Sequence, residues 1–201
     1  MSEQRLLTKP DWQNIFELIP EGSRVLDLGC GDGSLLASLR DKKNCFIQGI
    51  DISQEQVIKC VGKGVPVIQD NLNTGLSCFP DDSFDYAILG QTFQQVLAPE
   101  ELILEMLRVA KLSVVSVYNL GYWRSRFQIA IGGHMPMTKA LPHEWYNSPN
   151  IHLGTRYDFR DMCRKNSFTV VEEHHYRGEK TFLPSLWPNL FADLCLFILK
   201  K

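Results

Sequence analysis

Short apolar runs alternate along the chain with segments that repeat apolar residues every three or four positions. The runs predict buried strands, and the helical repeats predict amphipathic helices that cover them. The predicted strands are 25–28, 46–50, 65–69, 84–89, 112–117, 168–174 and 191–199. The predicted helices are 11–19, 33–40, 53–61, 99–110, 122–131 and 155–165. This order predicts an α/β fold with a doubly wound, mostly parallel sheet, whose ligands bind at the carboxyl ends of the strands.

Local signals mark where three of these helices begin. Asp11 has the side chain and position to cap the first helix. Ser53 and Gln56 have the spacing of a capping box, and Thr155 with Asp158 predicts a capped start for the 155–165 helix.

The alternation breaks after the fifth predicted strand, at a segment that we call the insertion, residues 119–154. The insertion is rich in Asn, Pro, His, Trp and Tyr, and only 122–131 within it has a helical pattern. An irregular segment of this length inside a compact domain is uncommon unless it has a function. Because it leaves the fifth strand at the ligand-binding edge, we expect it to lie near the ligand.

Composition narrows the class of protein. The 201 residues suit a single domain, 1–201, and a net charge of −2 lacks the basic footprint of a nucleic-acid-binding protein. The N-terminal residues lack an apolar signal-peptide core, and no apolar run approaches the ~20 residues that span a bilayer. The six cysteines form no CxxC pair, which predicts reduced, buried thiols in a cytoplasmic protein, with no disulfide and no metal site.

The candidate chemistry begins with the segment VLDLGCGDG, residues 25–33, which follows the first strand. Its glycine loop, residues 29–33, has the order GxGxG rather than the GxGxxG of dinucleotide-binding turns. Asp27 and Asp32 place two carboxylates here, which disfavours a pyrophosphate and favours a positively charged ligand. A structural turn or another nucleotide site stays open on these residues alone.

Acids and amides also follow the next strands. Asp51 ends the second strand, where a carboxylate can accept hydrogen bonds from both hydroxyls of a ribose. After the third strand, a side chain of Asp70 or Asn71 can meet an adenine amino group while Leu72 packs on the ring. Gln91 follows the fourth strand, where it can contact the ligand, orient a substrate or simply cap its own loop.

Together these residues resemble the class I S-adenosylmethionine (SAM)-dependent methyltransferases. The resemblance implies SAM or S-adenosylhomocysteine (SAH) as cofactor, with the glycine loop around the methionine part, Asp27 facing its amino group and Asp51 holding the ribose. The predicted cofactor-binding residues are Asp27, Gly29, Cys30, Gly31, Asp51, Ile52, Asp70, Asn71, Leu72 and Gln91.

The second half of the chain is similar to a narrower family, the MetW methionine biosynthesis proteins. The segments EMLRV at 105–109, NLGYWR at 119–124, WYNSPNIH at 145–152 and LWPNL at 186–190 carry this similarity. It implies a SAM-fold partner of homoserine O-acyltransferase, in which methyl transfer is not an established activity. The chain departs from the family pattern at Tyr118, Tyr122 and His134, where the family favours Pro, His and Arg, and a family role of the lost proline and histidine does not carry over to positions 118 and 122.

No catalytic residue is assigned, because transfer from an activated sulfonium needs placement of the acceptor more than a base. The loop after the fourth strand lacks the Asn/Asp-Pro-Pro-Tyr/Phe pattern of enzymes that methylate nucleic-acid bases. The alternative function is a free-standing SAM-dependent methyltransferase of a small molecule. An NAD-dependent oxidoreductase would need the missing GxGxxG.

The insertion supplies the predicted substrate or partner residues. Trp145 and Tyr146 are expected to couple cofactor occupancy to the partner, and the alternative is that they pack in the core.

The segment from His143 lacks the second His of a zinc-binding HExxH motif, and adjacent His174 and His175 face opposite sides of a strand. Arg156, Arg160 and Arg164 line one helix face, which is either solvated or meets an acidic partner. The full predicted set is Asn119, Trp123, His143, Trp145, Tyr146, Asn150 and His152.

Overall fold

The computed structural model of the protein describes residues 11–138, 141–177 and 186–201. The strands are β1 Arg24–Leu28, β2 Phe46–Asp51, β3 Val67–Gln69, β4 Phe84–Leu89, β5 Ala110–Tyr118, β6 Thr169–Tyr176 and β7 Leu194–Lys200. They form one sheet in the order β3-β2-β1-β4-β5-β7-β6. Strands β1 to β5 run parallel, and β7 runs antiparallel to both β5 and β6. The predicted doubly wound, mostly parallel sheet is confirmed.

Helices cover both faces of this sheet. They are α1 Trp12–Leu18, α2 Ser34–Lys43, α3 Gln54–Gly62, α4 Pro99–Val109, α5 Trp123–Ala130, α6 Arg156–Lys165 and α7 Pro188–Phe191. Two short 3-10 helices, Leu72–Thr74 and Phe93–Gln95, lie in the loops after β3 and β4. Apolar residues of α1, α2 and α3 pack together on one face, whereas those of α4 and α6 pack on the other.

Alternation along the parallel strands builds these two cores. In β1, Val25 belongs to the α1–α2–α3 core and Leu26 to the α4–α6 core. In β5, Val114 and Val115 divide in the same way. Because both faces are buried, the central strands are mostly apolar, which is why the apolar pattern located them.

The capping predictions had mixed outcomes. Thr155 and Asp158 form the predicted capping box at α6, with both reciprocal hydrogen bonds present. The capping box predicted at Ser53 is wrong, because its side chain makes no cap hydrogen bond and its N–H donates to Asp51 Oδ1 at 2.9 Å. Asp11 occupies the N-cap position of α1, but its side chain does not cap the helix either.

The last predicted strand began too early. Pro188 sits in the first turn of α7, a position that suits a residue without a backbone N–H, and this helix includes Phe191. Strand β7 therefore starts only at Leu194.

All six cysteines are free thiols, and five are buried as predicted. The prediction was wrong for Cys78, which is exposed. Across the described ranges, no helix is both long and apolar enough to cross a bilayer.

Candidate functional site

A cavity of about 590 Å³, the main cavity, lies where β1, β2 and β4 end. This is the edge at which parallel sheets bind their ligands, and the volume lies in the usual range of ligand sites. Its predicted lining residues are Gly29, Gly31, Asp51, Ile52, Asn71, Leu72 and Gln91. Among the described residues, the lining also includes several that the sequence analysis did not place in the site: Trp12, Asp32, Gln56, Lys59, Asn73, Thr92, Gln95 and Val96.

The glycine loop is fastened to the end of β2. The N–H groups of Gly29 and Cys30 both donate to the carbonyl oxygen of Ile50, at 2.8 and 3.0 Å. Gly29 has a φ of +74°, and a Cβ there would lie 2.2 Å from the Thr92 hydroxyl oxygen. Only glycine fits this conformation and this close approach, so the loop forms a backbone cradle that a side chain would fill.

Asp51 joins the glycine loop to the next helix. One carboxylate oxygen accepts the Gly31 N–H at 2.8 Å, and the other accepts the Ser53 N–H at 2.9 Å. An ionised carboxylate has about four lone-pair sites, so acceptor capacity remains for hydroxyl groups of a ligand. Asp51 lines the main cavity although it is 9% exposed, which fits a fixed acceptor.

The contacts of Asp32 weaken the sequence-based argument that two carboxylates near the glycine loop favour a positively charged ligand. Its carboxylate forms an ion pair with Lys63 at 2.5 Å and accepts hydrogen bonds from the Ser34 hydroxyl and N–H. Burial raises the pKa of Asp32, but these hydrogen bonds outweigh it and hold the pKa below its ordinary value. The charge of Asp32 is therefore balanced by Lys63 and does not select a cationic ligand.

The loop after β3 forms a polar corner of the main cavity. Asn71 Oδ1 accepts from the backbone and the side chain of Asn73, at 3.0 and 2.9 Å, so the Asn71 amide nitrogen is the group left for a ligand. Leu72 lies beside it on the cavity surface. Asp70 instead accepts the Asn71 N–H at 2.7 Å and does not line the cavity.

Two more predicted cofactor residues also lie outside the cavity surface. Asp27 is 4% exposed and sits on β1 behind the loop. Cys30 is 1% exposed, with its sulfur 3.8 Å from that of Cys60 in the α1–α2–α3 core. Burial, with a smaller contribution from Asp27, raises the pKa of the Cys30 thiol far above its ordinary value, so the thiol stays protonated.

The opposite end of the main cavity combines the start of α1 with the loop after β4. Trp12 and Thr92 line it together with Gln91, whose side-chain nitrogen donates to Asp11 Oδ1 at 3.0 Å. Thr92 directly follows Gln91, so extending that prediction by one residue would have found it. Trp12 carries no motif and is far from the loop in sequence.

The prediction for Asn119 needs correction. Asn119 is 2% exposed, and its amide nitrogen donates to the carbonyl oxygens of Asn189 and Ala192. Its side-chain oxygen accepts the N–H groups of Gly121 and Arg156, both at 3.0 Å. All of its polar groups are engaged in holding the end of β5 against α6 and α7, so it is a structural residue.

None of the insertion residues that the structure describes, 119–138 and 141–154, lines the main cavity, contrary to the expected proximity. Its 151–154 part lines a second cavity of about 410 Å³. The two cavities lie on either side of the 3-10 helix Phe93–Gln95, which we call the shared wall. The carbonyl oxygen of Gln94 accepts the N–H groups of Ile151 and His152, at 2.8 and 3.1 Å. The insertion therefore contacts one side of a segment whose other side faces the main cavity.

Trp145 and Tyr146 of the insertion are exposed rather than buried in the core, whereas Tyr122 is buried. Trp145 is 74% exposed and Tyr146 is 69% exposed, with ring centroids 5.8 Å apart. Trp123 is 37% exposed on α5, and His143 is also exposed. Asn150 is half-buried, and its N–H donates to the Ser148 hydroxyl.

The arginine row of α6 is mostly satisfied within the chain. Arg156 and Arg160 both pair with Glu173 on β6, and Arg164 pairs with Asp161. Donor atoms of Glu173, His175 and Cys195 lie within 4.8 Å of one another. A metal ion at this cluster would compete with two guanidinium groups for Glu173, so the geometry favours an ion-pair network.

Fold and site together define a class. The structure is similar to the S-adenosylmethionine-dependent methyltransferase of Mesorhizobium loti, with a TM-score of 0.70 and 17% sequence identity, over 96% of this chain and 99% of that one. At this identity the likeness establishes the fold alone, which is that of the class I SAM-dependent methyltransferases.

Within this class the chain belongs to the MetW family, since residues 9–199 match the family model described as methionine biosynthesis protein MetW. It is 36% identical over 195 residues to the bifunctional methionine biosynthesis protein MetXA/MetW of Rhodopirellula baltica, covering 91% of this chain and 31% of that protein. The chain thus spans about a third of the length of that relative. It is also 26% identical over 179 residues to the demethylmenaquinone methyltransferase of Geobacillus kaustophilus, covering 79% of this chain and 76% of that one.

Proposed function

We propose that this protein binds SAM or SAH and acts in methionine biosynthesis beside a homoserine O-acyltransferase, in the cytoplasm. The observation that carries the cofactor assignment is the glycine cradle, because Asp51 and the end of β2 hold it open against a cavity of suitable volume. Free thiols at all six cysteines fit a reducing compartment.

The residues of the main cavity fit this cofactor by chemical type. Asp51 would accept from the ribose hydroxyls, Leu72 would pack on the adenine, and Asn71 would donate to a ring nitrogen. Gly29 and Gly31 would let the backbone approach the methionine part. Bound SAM would supply a methyl group on a positively charged sulfur, and this chain's residues would orient it and exclude water.

The first prediction concerns ligand identity. SAM or SAH at about 100 times its dissociation constant should add about 2.7 kcal/mol to the free energy of unfolding. For a domain of this size that corresponds to roughly 5–11 °C in melting temperature, measured by thermal-shift fluorimetry. A shift with NAD and none with SAM or SAH would contradict the assignment.

The partner proposal is supported by the bifunctional relative. This relative joins MetXA and MetW in its name as one bifunctional protein, and this chain covers 31% of it. Two activities joined in one chain are held at high effective concentration, which is useful when the two parts act together. We infer that this protein associates with a homoserine O-acyltransferase in the same way.

The surface proposed for that association includes Trp145 and Tyr146. Trp145 and Tyr146, exposed at 74% and 69% with their ring centroids 5.8 Å apart, form a paired aromatic surface, and Trp and Tyr are enriched among interface anchors. The insertion that bears them donates two hydrogen bonds to Gln94 in the shared wall, and Gln95 of the same wall faces the main cavity. A shift of this wall on cofactor binding would therefore reach the insertion directly.

The second prediction tests this surface. Trp145→Ala and Tyr146→Ala should each weaken binding of the cell's homoserine O-acyltransferase by roughly thirtyfold, since truncating an interface anchor commonly costs about 2 kcal/mol. Both changes should leave the free energy of unfolding within about 0.5 kcal/mol of the original, because the side chains are exposed. Biolayer interferometry and urea denaturation measure the two effects separately.

Phe46→Ala is the matched control for this prediction. Phe46 is 72% exposed, but it begins β2 at the edge of the sheet opposite the ligand site. Acyltransferase binding should be unchanged in this variant. Equal affinity of the acyltransferase for all three variants and the original protein would exclude the insertion as the interface.

A second candidate function is methyl transfer to a small molecule without a partner. The similarity to a demethylmenaquinone methyltransferase over 79% of the chain favours it. Release of SAH from SAM in a small-molecule extract, without acyltransferase and with no acyltransferase binding in the interferometry, would establish this function instead.

A further inference from the structure

Asp11 is a buried acid at the start of α1. It is 0% exposed and occupies the N-cap of α1, a position where aspartate normally accepts a hydrogen bond from the helix. Its side chain makes no such bond. Burying a carboxylate away from water is costly, so the contacts that Asp11 makes inside the protein matter.

One of these contacts joins Asp11 to a residue 80 positions away in the sequence. Gln91 donates its side-chain nitrogen to Asp11 Oδ1 at 3.0 Å. A carboxylate can only accept, so this contact fixes which end of the Gln91 amide faces Asp11. The Gln91 carbonyl oxygen Oε1 is turned the other way, and no described residue donates a hydrogen bond to it.

Gln91 belongs to the wall of the main cavity, next to the glycine cradle. Thr92, its neighbour in the chain, lies so close to Gly29 that a Cβ there would be 2.2 Å from its hydroxyl. The glycine cradle is where the proposed function puts the methionine part of the cofactor. An oriented carbonyl oxygen beside it is a partial negative charge near the cofactor's sulfur.

We propose that Asp11 is a positioning residue that holds Gln91 with its carbonyl oxygen toward the sulfonium, so that the site binds SAM in preference to SAH. The inference rests on the proposed function. SAM carries a positive sulfur with polarised C–H groups, which a carbonyl oxygen attracts, whereas the sulfur of SAH is neutral. Both ligands carry the same ammonium group, so an effect on that group would not discriminate between them.

The test is the ratio of the SAM and SAH dissociation constants, measured by isothermal titration calorimetry. Asp11→Asn keeps the size of the side chain but lets it donate to Gln91 Oε1, which allows the amide to turn its nitrogen toward the ligand. SAM affinity should fall about tenfold and SAH affinity less than about twofold. Gln91→Met removes the carbonyl and should give the same SAM-specific loss.

The double variant separates positioning from a structural role. If Asp11 acts through Gln91, adding Asp11→Asn to Gln91→Met should not change the ratio further. Glu17→Gln removes an exposed acid from the same helix and is the matched control, with an unchanged ratio expected.

Each result bears on the proposal in a definite way. Equal losses of SAM and SAH, or additive effects in the double variant, would overturn it while the proposed function stands. Binding of neither ligand by the unaltered protein would overturn the proposed function and this inference with it. If Asp11→Asn does not fold, Gln91→Met carries the test, and an unchanged ratio in that variant overturns the proposal.

Discussion

At the residue scale, Asp51 shows how a predicted ligand-binding side chain can also hold the protein together. The sequence predicted one role for Asp51, as an acceptor for the hydroxyls of a ribose at the end of the second predicted strand. In the structure it accepts N–H groups from Gly31 and Ser53 and is 9% exposed. Removing it would leave both donors without this acceptor, and the glycine loop would lose its attachment to α3.

The third prediction follows. Asp51→Ala should weaken SAH binding at least tenfold and lower the free energy of unfolding by about 2–4 kcal/mol, because charge-assisted hydrogen bonds contribute about 1.5–3 kcal/mol each. Calorimetry and urea denaturation give the two quantities. Asp70→Ala is the comparison, since Asp70 is exposed and lies outside the cavity, so SAH affinity should hold. A normal stability for Asp51→Ala would mean that the two N–H contacts contribute little.

The sequence predicted the site residues that belong to local motifs. It missed those that tertiary packing brings to the cavity from distant parts of the chain. Gly29, Gly31 and Asp51 follow strands directly, and strand position alone locates them at one edge. Asp11 reaches Gln91 only because α1 packs on the sheet, and no spacing rule relates residues 80 positions apart. Asn119 was assigned to a substrate or partner because the sequence alone does not distinguish an exposed asparagine from a buried one whose amide is fully hydrogen-bonded within the protein.

At the element scale, helix α6 and helix α3 form a natural comparison of capping. Thr155 at α6 makes the capping box with Asp158, whereas Ser53 at α3 makes no cap hydrogen bond. The fourth prediction is that Thr155→Ala lowers the free energy of unfolding by about 1 kcal/mol. Ser53→Ala, at the same position of its own helix, should change it by less than about 0.5 kcal/mol. Equal losses in the two variants, measured by urea denaturation, would contradict the structural difference.

The same comparison shows where element prediction stops. Both helices have the letters of a capping box, but at Ser53 the carboxylate of Asp51 has already taken the N–H of the cap residue. Similarly, Phe191 to Leu199 is apolar enough for one strand, but Pro188 starts a short helix that takes Phe191 out of it. In each case a neighbour in space or a single proline outweighs the periodic pattern.

At the scale of the whole molecule, Asp85 ties three parallel strands together at the edge opposite the ligand site. Its carboxylate accepts from the Arg24 N–H and guanidinium on β1 and from Lys111 on β5, at 2.9, 3.2 and 2.9 Å. The hydrogen bonds from Arg24, then that from Lys111, hold the pKa of Asp85 well below its ordinary value. A lowered folded pKa stabilises the protein above the unfolded pKa of about 4, and this contribution is lost as the pH falls through the folded value.

The fifth prediction is therefore about pH. Asp85→Asn should cost about 1–2 kcal/mol of unfolding free energy at pH 7, and the gap to the original protein should narrow as the pH falls below about 4. Asp82→Asn is the control, because it removes a nearby acid and asparagine tolerates the positive φ of 53° at that position. The unfolding free energy of this variant should stay close to that of the original protein at every pH. Urea denaturation between pH 3 and pH 7 would show both, and a gap for Asp85→Asn that is constant across this range would contradict the assignment.

The two hydrogen bonds that Ile50 accepts from Gly29 and Cys30 have a consequence for the thermodynamics of ligand capture. They give the loop its shape when the sheet forms, so little backbone entropy remains to be lost when a ligand arrives. The ordering cost is thereby moved from association to folding. Affinity and fold stability are coupled at this loop, and a substitution that loosens it would weaken both at once.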